Sequence, residues 1–519
     1  MALLGQDQPV ILHPFHAHSV SSCDKCACYV PCLQPRLIVW AGDVTIDILP
    51  DNVLLHIFLF DGLEYRHRGP INRFVGQGGT DRLGRLTWTW YRLVHVCRRW
   101  RSIIFASPNF LDLRLVCLPG TRVELTGIWP SLPIIISSAF GGNFPGDYDF
   151  DAAIVHPNRV REISLSLTSL QLQRLVLAMQ EQFPALIHLL LFSTSRGDSP
   201  ALPDGFLGGS AAGLQSLWLG YIPFPALPKF LLSATDLVYL TLFKIPHSGY
   251  ISPEAIVTCL AAMASLKSLL IDFLSPLSRP DRKRRRPPPP IRTVLPALTH
   301  FQFQGVSEYL EDFAARIDAP LLHSIRIAFC SQLIFEIPQL AQFMRRTTAL
   351  QALNEMYMNF HIFGVDVGYS PPLDSNGMSR LRILCTESDW QLSSLAQVLT
   401  PFFPSTHTLE HLYMYDTYSP PQWRDDIENE QWLEFFEPFT DVENLYLSKS
   451  VAPHVARALQ EPVGSGMTEV LPTLHNIFLE GHQPSGPLPE GIGKFVAARQ
   501  LSDHPITVSL WERGRDTRT

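Results

Sequence analysis

The chain holds 519 residues, 46% of them apolar and 17% charged, with a net charge of -7 at neutral pH. It is too long for one ordinary core, too apolar for wholesale disorder, and too acidic to make nucleic acid the main partner. Its 43 prolines and 31 glycines imply many short elements with frequent punctuation.

Nine cysteines is an odd number, and Cys97, Cys117, Cys259, Cys330 and Cys385 stand singly in apolar stretches. That pattern fits free thiols in a reducing compartment. Residues 1–18 lack a basic leader followed by a continuous apolar run, and no stretch of ~18 apolar residues is free of charge or proline. The expected setting is cytoplasm or nucleus, with no membrane.

Residues 1–43 read as a disordered leader. They hold Cys23, Cys26, Cys28 and Cys32, preceded by His13, His16 and His18. Four thiolates could close a tetrahedral zinc site, but structural zinc sites usually hold two ligand pairs apart across a loop, and these form one compact group. No metal and no other cofactor is expected.

From Ile48 the texture changes. Leu49-Pro50-Asp51-Asn52 puts proline where a first helical turn accepts it and an acid near the positive helix end. Val53, Leu54, Ile57 and Phe58 follow as an apolar stripe, which Leu55, Leu59 and Phe60 widen. After a Gly-rich loop over 61–85, a second helical pattern starts near Trp88, with Leu93, Val96, Cys97, Trp100, Ile103 and Ile104 on one face. Ser107-Pro108 marks its end.

These residues resemble an F-box, over a span of 44–118. The resemblance implies a helical module that docks on the Skp-type linker of a cullin-based ubiquitin ligase. It implies docking through Leu49, Pro50, Val53, Leu54, Ile57 and Phe58, with Val96, Cys97 and Trp100 holding the helices together. Asn52 stands where the family commonly has glutamate, and the loop 61–85 is longer than usual.

Residues 119–155 read as a transition. Beyond residue 156 a unit recurs: apolar-x-x-apolar-x-apolar. It appears at Val160-Ile163-Leu165, Leu186-Leu189-Leu191, Leu214-Leu217-Leu219, Leu237-Leu240-Leu242, Leu266-Leu269-Ile271, Leu298-Phe301-Phe303 and Leu322-Ile325-Ile327. It continues at Met378-Leu381-Ile383, Leu409-Leu412-Met414, Val442-Leu445-Leu447 and Leu474-Ile477-Leu479, with a weaker copy at Leu350-Leu353. The starts lie 23 to 33 residues apart, with helical stretches such as Pro253–Ala264 between them. The fold class this predicts is α/β: an irregular leucine-rich-repeat solenoid over 156–511, parallel strands inside and helices outside, followed by a tail over 512–519. Ordinary strands of an α/β domain are the alternative. The motif's usual asparagine is replaced by Ile222, Ile245, Leu274, Val306 or Cys330, so the turns should be irregular.

Strand alternation then places the intervening residues on the inner, concave face. Trp218, Tyr239, Arg326, Arg382, Tyr413, Tyr446 and Phe478 are the candidate target-binding residues, since exposed aromatics with arginine have the composition of binding hot spots. Arg380 extends a basic centre; Glu410 and Glu443 follow. Leu217 and Leu219 should be buried around an exposed Trp218, and Leu412 and Met414 around an exposed Tyr413.

Arg282-Lys283-Arg284-Arg285-Arg286 and four prolines fall in a loop over 278–292. A nuclear address, an anionic contact and a merely solvated loop all fit it. The chain contains no His-Glu-x-x-His, no Walker lysine loop and no Gly-x-Ser-x-Gly elbow. No enzyme is expected. The resemblance implies instead a substrate-recruiting adaptor of a ubiquitin ligase, its partners the linker subunit and a target protein; a leucine-rich-repeat scaffold outside any ligase is the alternative.

Overall fold

An apolar-x-apolar pair in extended backbone sends both side chains to one face of a sheet. In the computed structural model of the chain most of the repeated units form such strands, stacked side by side. The structure describes residues 48–63, 93–107, 111, 114–117, 132–138, 154–195, 199–280, 291–330, 332, 334–347, 354–369, 379–384, 388–402, 409–416, 429–460, 470–481, 488–501 and 504–512. The cysteine group Cys23–Cys32, the loop 61–85 beyond Leu63, the Leu350-Leu353 copy and Arg282–Arg286 lie outside them.

The strands in chain order are β1 (Leu115–Cys117), β2 (Ile134–Ser137), β3 (Val160–Leu167), β4 (His188–Ser193), β5 (Ser216–Gly220) and β6 (Tyr239–Ile245). Then come β7 (Ser268–Phe273), β8 (Thr293–Val294), β9 (His300–Gly305), β10 (Ile317–Asp318), β11 (Ser324–Cys330) and β12 (Glu355–His361). The last are β13 (Gly364–Tyr369), β14 (Ser379–Leu384), β15 (His411–Asp416), β16 (Asn444–Leu447), β17 (Asn476–Glu480) and β18 (Thr507–Trp511). Sixteen of them form one sheet in the order β1 to β7, β9, β11, β14, β13, β12, β15 to β18, while β8 and β10 pair separately.

The register is straight across the leucine positions. Leu189, Leu217, Leu240, Leu269, Phe301 and Ile325 align strand to strand, and all are buried. Helices cover that face, among them Ser169–Ala178 over β3, Ser307–Ala314 over β9 and Ser388–Phe402 over β13 and β14. The predicted register therefore holds: Leu217, Leu219, Leu412 and Met414 all point under the helices.

Local chemistry starts and stops these helices. Thr168 and Gln171 form a reciprocal capping box on helix Ser169–Ala178. Ser252 caps helix Pro253–Leu260, with proline in its first turn. The buried Glu311 carboxylate accepts the Leu340 N–H at 2.9 Å, so one helix supplies the cap of the next, Pro338–Arg346. The missing asparagines have a visible consequence. Ile222, Ile245 and Val306 fill the turn positions as buried apolar side chains. Tyr221 (φ 58°) and Lys244 (φ 51°) take the left-handed backbone at the exits of β5 and β6, a conformation that costs ~1–2 kcal/mol for a residue with a Cβ.

Three expectations need correction. Among the described residues the sheet starts at Leu115, inside the segment read as F-box, and β2 lies inside 119–155; β1 pairs with β2 at a spacing shorter than the repeat's, whereas β2 pairs with β3 at the repeat's spacing. The strands are not all parallel. Between β11 and β15 stands a three-stranded meander in which β13 runs antiparallel to β12 and β14. The strand near Leu350-Leu353 is β12, whose core residues Met356 and Met358 align with Leu412 and Met414, three residues beyond the expected pair. The reason is the two-residue loop Ile362-Phe363, which folds the chain straight back. Gly364 makes this possible: at φ 151° its backbone suits glycine, and a Cβ there would stand 2.0 Å from the Ile383 carbonyl.

The chain divides into two compact units between Leu54 and Leu55; of the first, only residues 48–54 are described. Helix Asp51–Leu63 begins where Pro50 predicts. Among the described residues the second helical pattern is interrupted: Leu93 and Val94 are helical, Cys97 is extended, and a new helix, Arg98–Ala106, starts with the Cys97 sulfur accepting the Trp100 N–H at 3.4 Å as an N-cap.

Leu217→Ala is expected to cost ~2–5 kcal/mol, as a cavity under the helices. Gly364→Ala should cost more than about 1 kcal/mol by straining the meander. Urea unfolding of both variants measures this.

Candidate interaction surface

The face of the sheet away from the helices carries side chains in rows that follow the strand register. One row reads Trp218, Thr241, Leu270, Gln302, Arg326, Arg380, Gly368, Tyr357, Tyr413, Tyr446, Phe478. Every predicted target-binding residue is on this face, but the structure assigns them very different surroundings.

Trp218 is half-buried, not exposed. Its ring lies 5.7 Å from Phe192 and 5.8 Å from Phe243, nearly parallel to the latter, with Tyr221 set edge-on against both phenylalanines. Gly220 leaves room for the indole, since a Cβ there would stand 2.5 Å from it. Tyr239, 40% exposed, is the open aromatic of this end.

The centre is less basic than expected. Arg382 binds both Asp366 carboxylate oxygens through Nε and Nη2, a bidentate pair that clamps β14 to β13. Arg326 lies between Gln302 and Arg380 in register; the Arg380 side chain is outside the described residues. Near it His300 and His323 meet edge to face at 4.7 Å. Burial, then His323 and Arg326, hold the His300 pKa down. At the exits of β6 and β7, the Lys244 ammonium lies 3.3 Å from buried Asp272. Burial pushes the Asp272 carboxyl up to about 6, against the pull of Lys244.

The C-terminal end carries a continuous aromatic stack. Tyr357 and Tyr413 lie 4.4 Å apart, Tyr413 and Tyr446 4.1 Å, Tyr446 and Phe478 4.4 Å, all within 15° of parallel. Trp511, on the last strand, turns edge-on to Tyr446 at 5.8 Å. The Tyr357 hydroxyl donates to Glu355 at 2.6 Å. Burial first, then that carboxylate, raises the Tyr357 pKa; burial, then Tyr446 and Tyr357, raises that of Tyr413. These phenols stay protonated donors.

Sequence reasoning passed over Tyr357, Phe192, Phe243 and Trp511. Tyr357 was hidden by the misplaced unit, although the alternation of Met356, Met358 and Phe360 around it signals a strand. Trp511 follows no leucine unit.

At the N-terminal module, the residues carried over from the F-box resemblance sort by burial. Leu54 and Phe58 are buried, while Val53 is 38% and Ile57 42% exposed, one turn apart on one helix. Phe58 meets Trp100 at 4.7 Å. Leu49 is half-buried and Pro50 exposed. Val96, expected to hold the helices together, is 57% exposed, because the break at Cys97 turns it out.

Among the described residues no group of three or more His, Cys, Asp or Glu could hold a metal, and no helix is long and apolar enough to cross a membrane. Cys97, Cys117, Cys259 and Cys330 are free thiols.

Parallel strands recurring with buried leucines and intervening helices define a leucine-rich-repeat-like α/β fold. No family model matches the chain, and no curated protein does. Among solved structures, the chain is similar to the leucine-rich repeat-containing protein LegL7 from Legionella pneumophila, at 14% identity and a TM-score of 0.26, over 70% of this chain and 97% of that one. The repeat architecture stands on the strand register itself.

Trp218→Ala is expected to cost more than about 1 kcal/mol, through its lost ring contacts, and Tyr239→Ala less than about 0.5 kcal/mol. The raised Asp272 pKa means that the folded chain holds this proton more tightly than the unfolded one. Its stabilisation is full below about pH 4 and is lost as pH rises through about 6. Asp272→Asn should flatten the fall in stability across that window, read by denaturation as a function of pH.

Proposed function

We propose that this chain is a protein-interaction scaffold that holds a partner protein against the open sheet face. The observation that carries the reading is the ordered aromatic face: half-buried rings whose rotamers are already paid for by stacking offer contact area at low entropic cost. The repeats spread side chains along a long surface instead of gathering them in one dry pocket, which favours binding over chemistry.

The finer reading adds the N-terminal helices as an F-box that docks on the Skp-type linker of a cullin-based ubiquitin ligase. It is supported by Val53 and Ile57 standing exposed one turn apart, and by Phe58 packed on Trp100. In such an adaptor the repeats hold the target near the conjugating enzyme and act by effective concentration. A repeat scaffold outside any ligase is the alternative, and linker capture separates the two.

Two variants of the full chain test the pair of readings. Val53→Asp with Ile57→Asp touches exposed positions only, unlike any change at buried Leu54, and should weaken linker capture by more than about tenfold. Unchanged capture with an unaltered circular dichroism spectrum removes the adaptor reading. Tyr239→Ala with Tyr413→Ala should reduce recovery of cross-linked partners, whereas Leu177→Asp, on an exposed helix position, should not. The opposite pattern moves the binding site to the helices.

A further inference from the structure

The stack Tyr357-Tyr413-Tyr446-Phe478 occupies the faces of its own rings. At separations of 4.1 to 4.4 Å nothing slides between them, so a ligand meets ring edges and hydroxyls. Among the described residues, both carboxylates and imidazoles neighbour the stack: His411 packs on Tyr413 and Tyr446, and exposed His475 precedes β17 as Glu443 precedes β16. Glu355 sits at the N-terminal end of β12, bonded to the Tyr357 hydroxyl. Glu410 and Glu443 immediately precede β15 and β16, and the backbone bond from the Glu443 N–H to the Glu410 carbonyl at 3.0 Å sets them on adjacent strands. Both are exposed. At the other end of the stack Glu480 closes β17, where its carboxylate accepts the Lys449 N–H at 3.4 Å. Against these stands the side chain of Lys449, beyond the exit of β16. The nearest arginine on the face with a described side chain, Arg382, is already neutralised by Asp366.

We propose that this end of the open face binds a basic, arginine- or lysine-rich segment of the partner protein. The inference deepens the scaffold reading and rests on it. The match is one of charge and geometry. Glu410 and Glu443, which immediately precede adjacent strands, offer carboxylate acceptors side by side to cationic side chains of the segment. The phenol oxygens between them are further acceptors, and the aliphatic stems of Arg or Lys lie along the ring edges. An acidic or nucleic-acid ligand meets repulsion here instead.

The test uses the full chain and a labelled arginine–glycine repeat peptide, with a glutamate–glycine peptide of the same length as control. Fluorescence anisotropy should show binding of the basic peptide only, weakening steeply as ionic strength rises from about 0.05 to about 0.5 M. The triple variant Glu355→Gln, Glu410→Gln, Glu443→Gln keeps an acceptor for Tyr357 and should weaken binding about tenfold or more. Removing as much charge elsewhere, with Glu181→Gln, Asp204→Asn and Asp236→Asn, all exposed in the N-terminal repeats, should change it by less than about twofold. Unfolding midpoints of both triples confirm that folding is intact. No binding to the wild-type chain, or equal loss in both triples, overturns the proposal. So does self-association of the chain that Arg282–Arg286→Ala abolishes, which gives the face to a second copy. If instead partner cross-linking depends on Tyr413 but not on the three glutamates, this inference fails while the scaffold reading stands.

Discussion

Each turn of this protein buries its apolar strand residues only because the next turn is there. A strand such as β5 places Leu217 and Leu219 on one side, and neither could leave water without Leu189 and Leu240 beside them and helices above. This mutual burial sets the register, since a one-residue slip would send the whole leucine set to the open face. The helices need only arrive, and small devices bring them: a capping box at Thr168, a serine at 252, the Glu311 carboxylate reaching into the next helix.

The same constraint writes the open face. Neighbouring strands lie about 4.8 Å apart, close to the distance at which aromatic rings stack. Wherever in-register positions are aromatic, a ladder forms, as from Tyr357 to Phe478. The rings stack on one another over a buried core, so the sheet's packing sets where they stand. At the other end Trp218 is wedged between Phe192 and Phe243, which makes it part of the fold as much as part of a surface.

The meander of β12, β13 and β14 decides what lies next to what. Were the strands laid down in chain order, β14 would adjoin β15, and Arg380 and Arg382 would stand beside Tyr413. Instead β12 adjoins β15 and puts Tyr357 there, while Arg382 is held three strands from Tyr413, against Asp366. The meander thereby keeps the Arg382–Asp366 pair apart from the aromatic stack of the C-terminal end.

Much of this was legible in the residues alone. The spacing of Leu217 and Leu219, or of Leu412 and Met414, determined strand, face and burial, because alternation in an extended chain is a local property. The absence of asparagine determined that the turns would be irregular. Pairing is not local. Nothing in Phe360-His361-Ile362-Phe363-Gly364 carries an ordinary hairpin signal, and only the packed sheet, with the Ile383 carbonyl pressed against Gly364, decided that the chain reverses there. The tertiary structure likewise decided that Arg382 is a clamp, that Trp218 is half-buried and that Val96 is exposed. Each depends on which side chain a distant strand or a helix break brings alongside, which spacing along the chain does not encode.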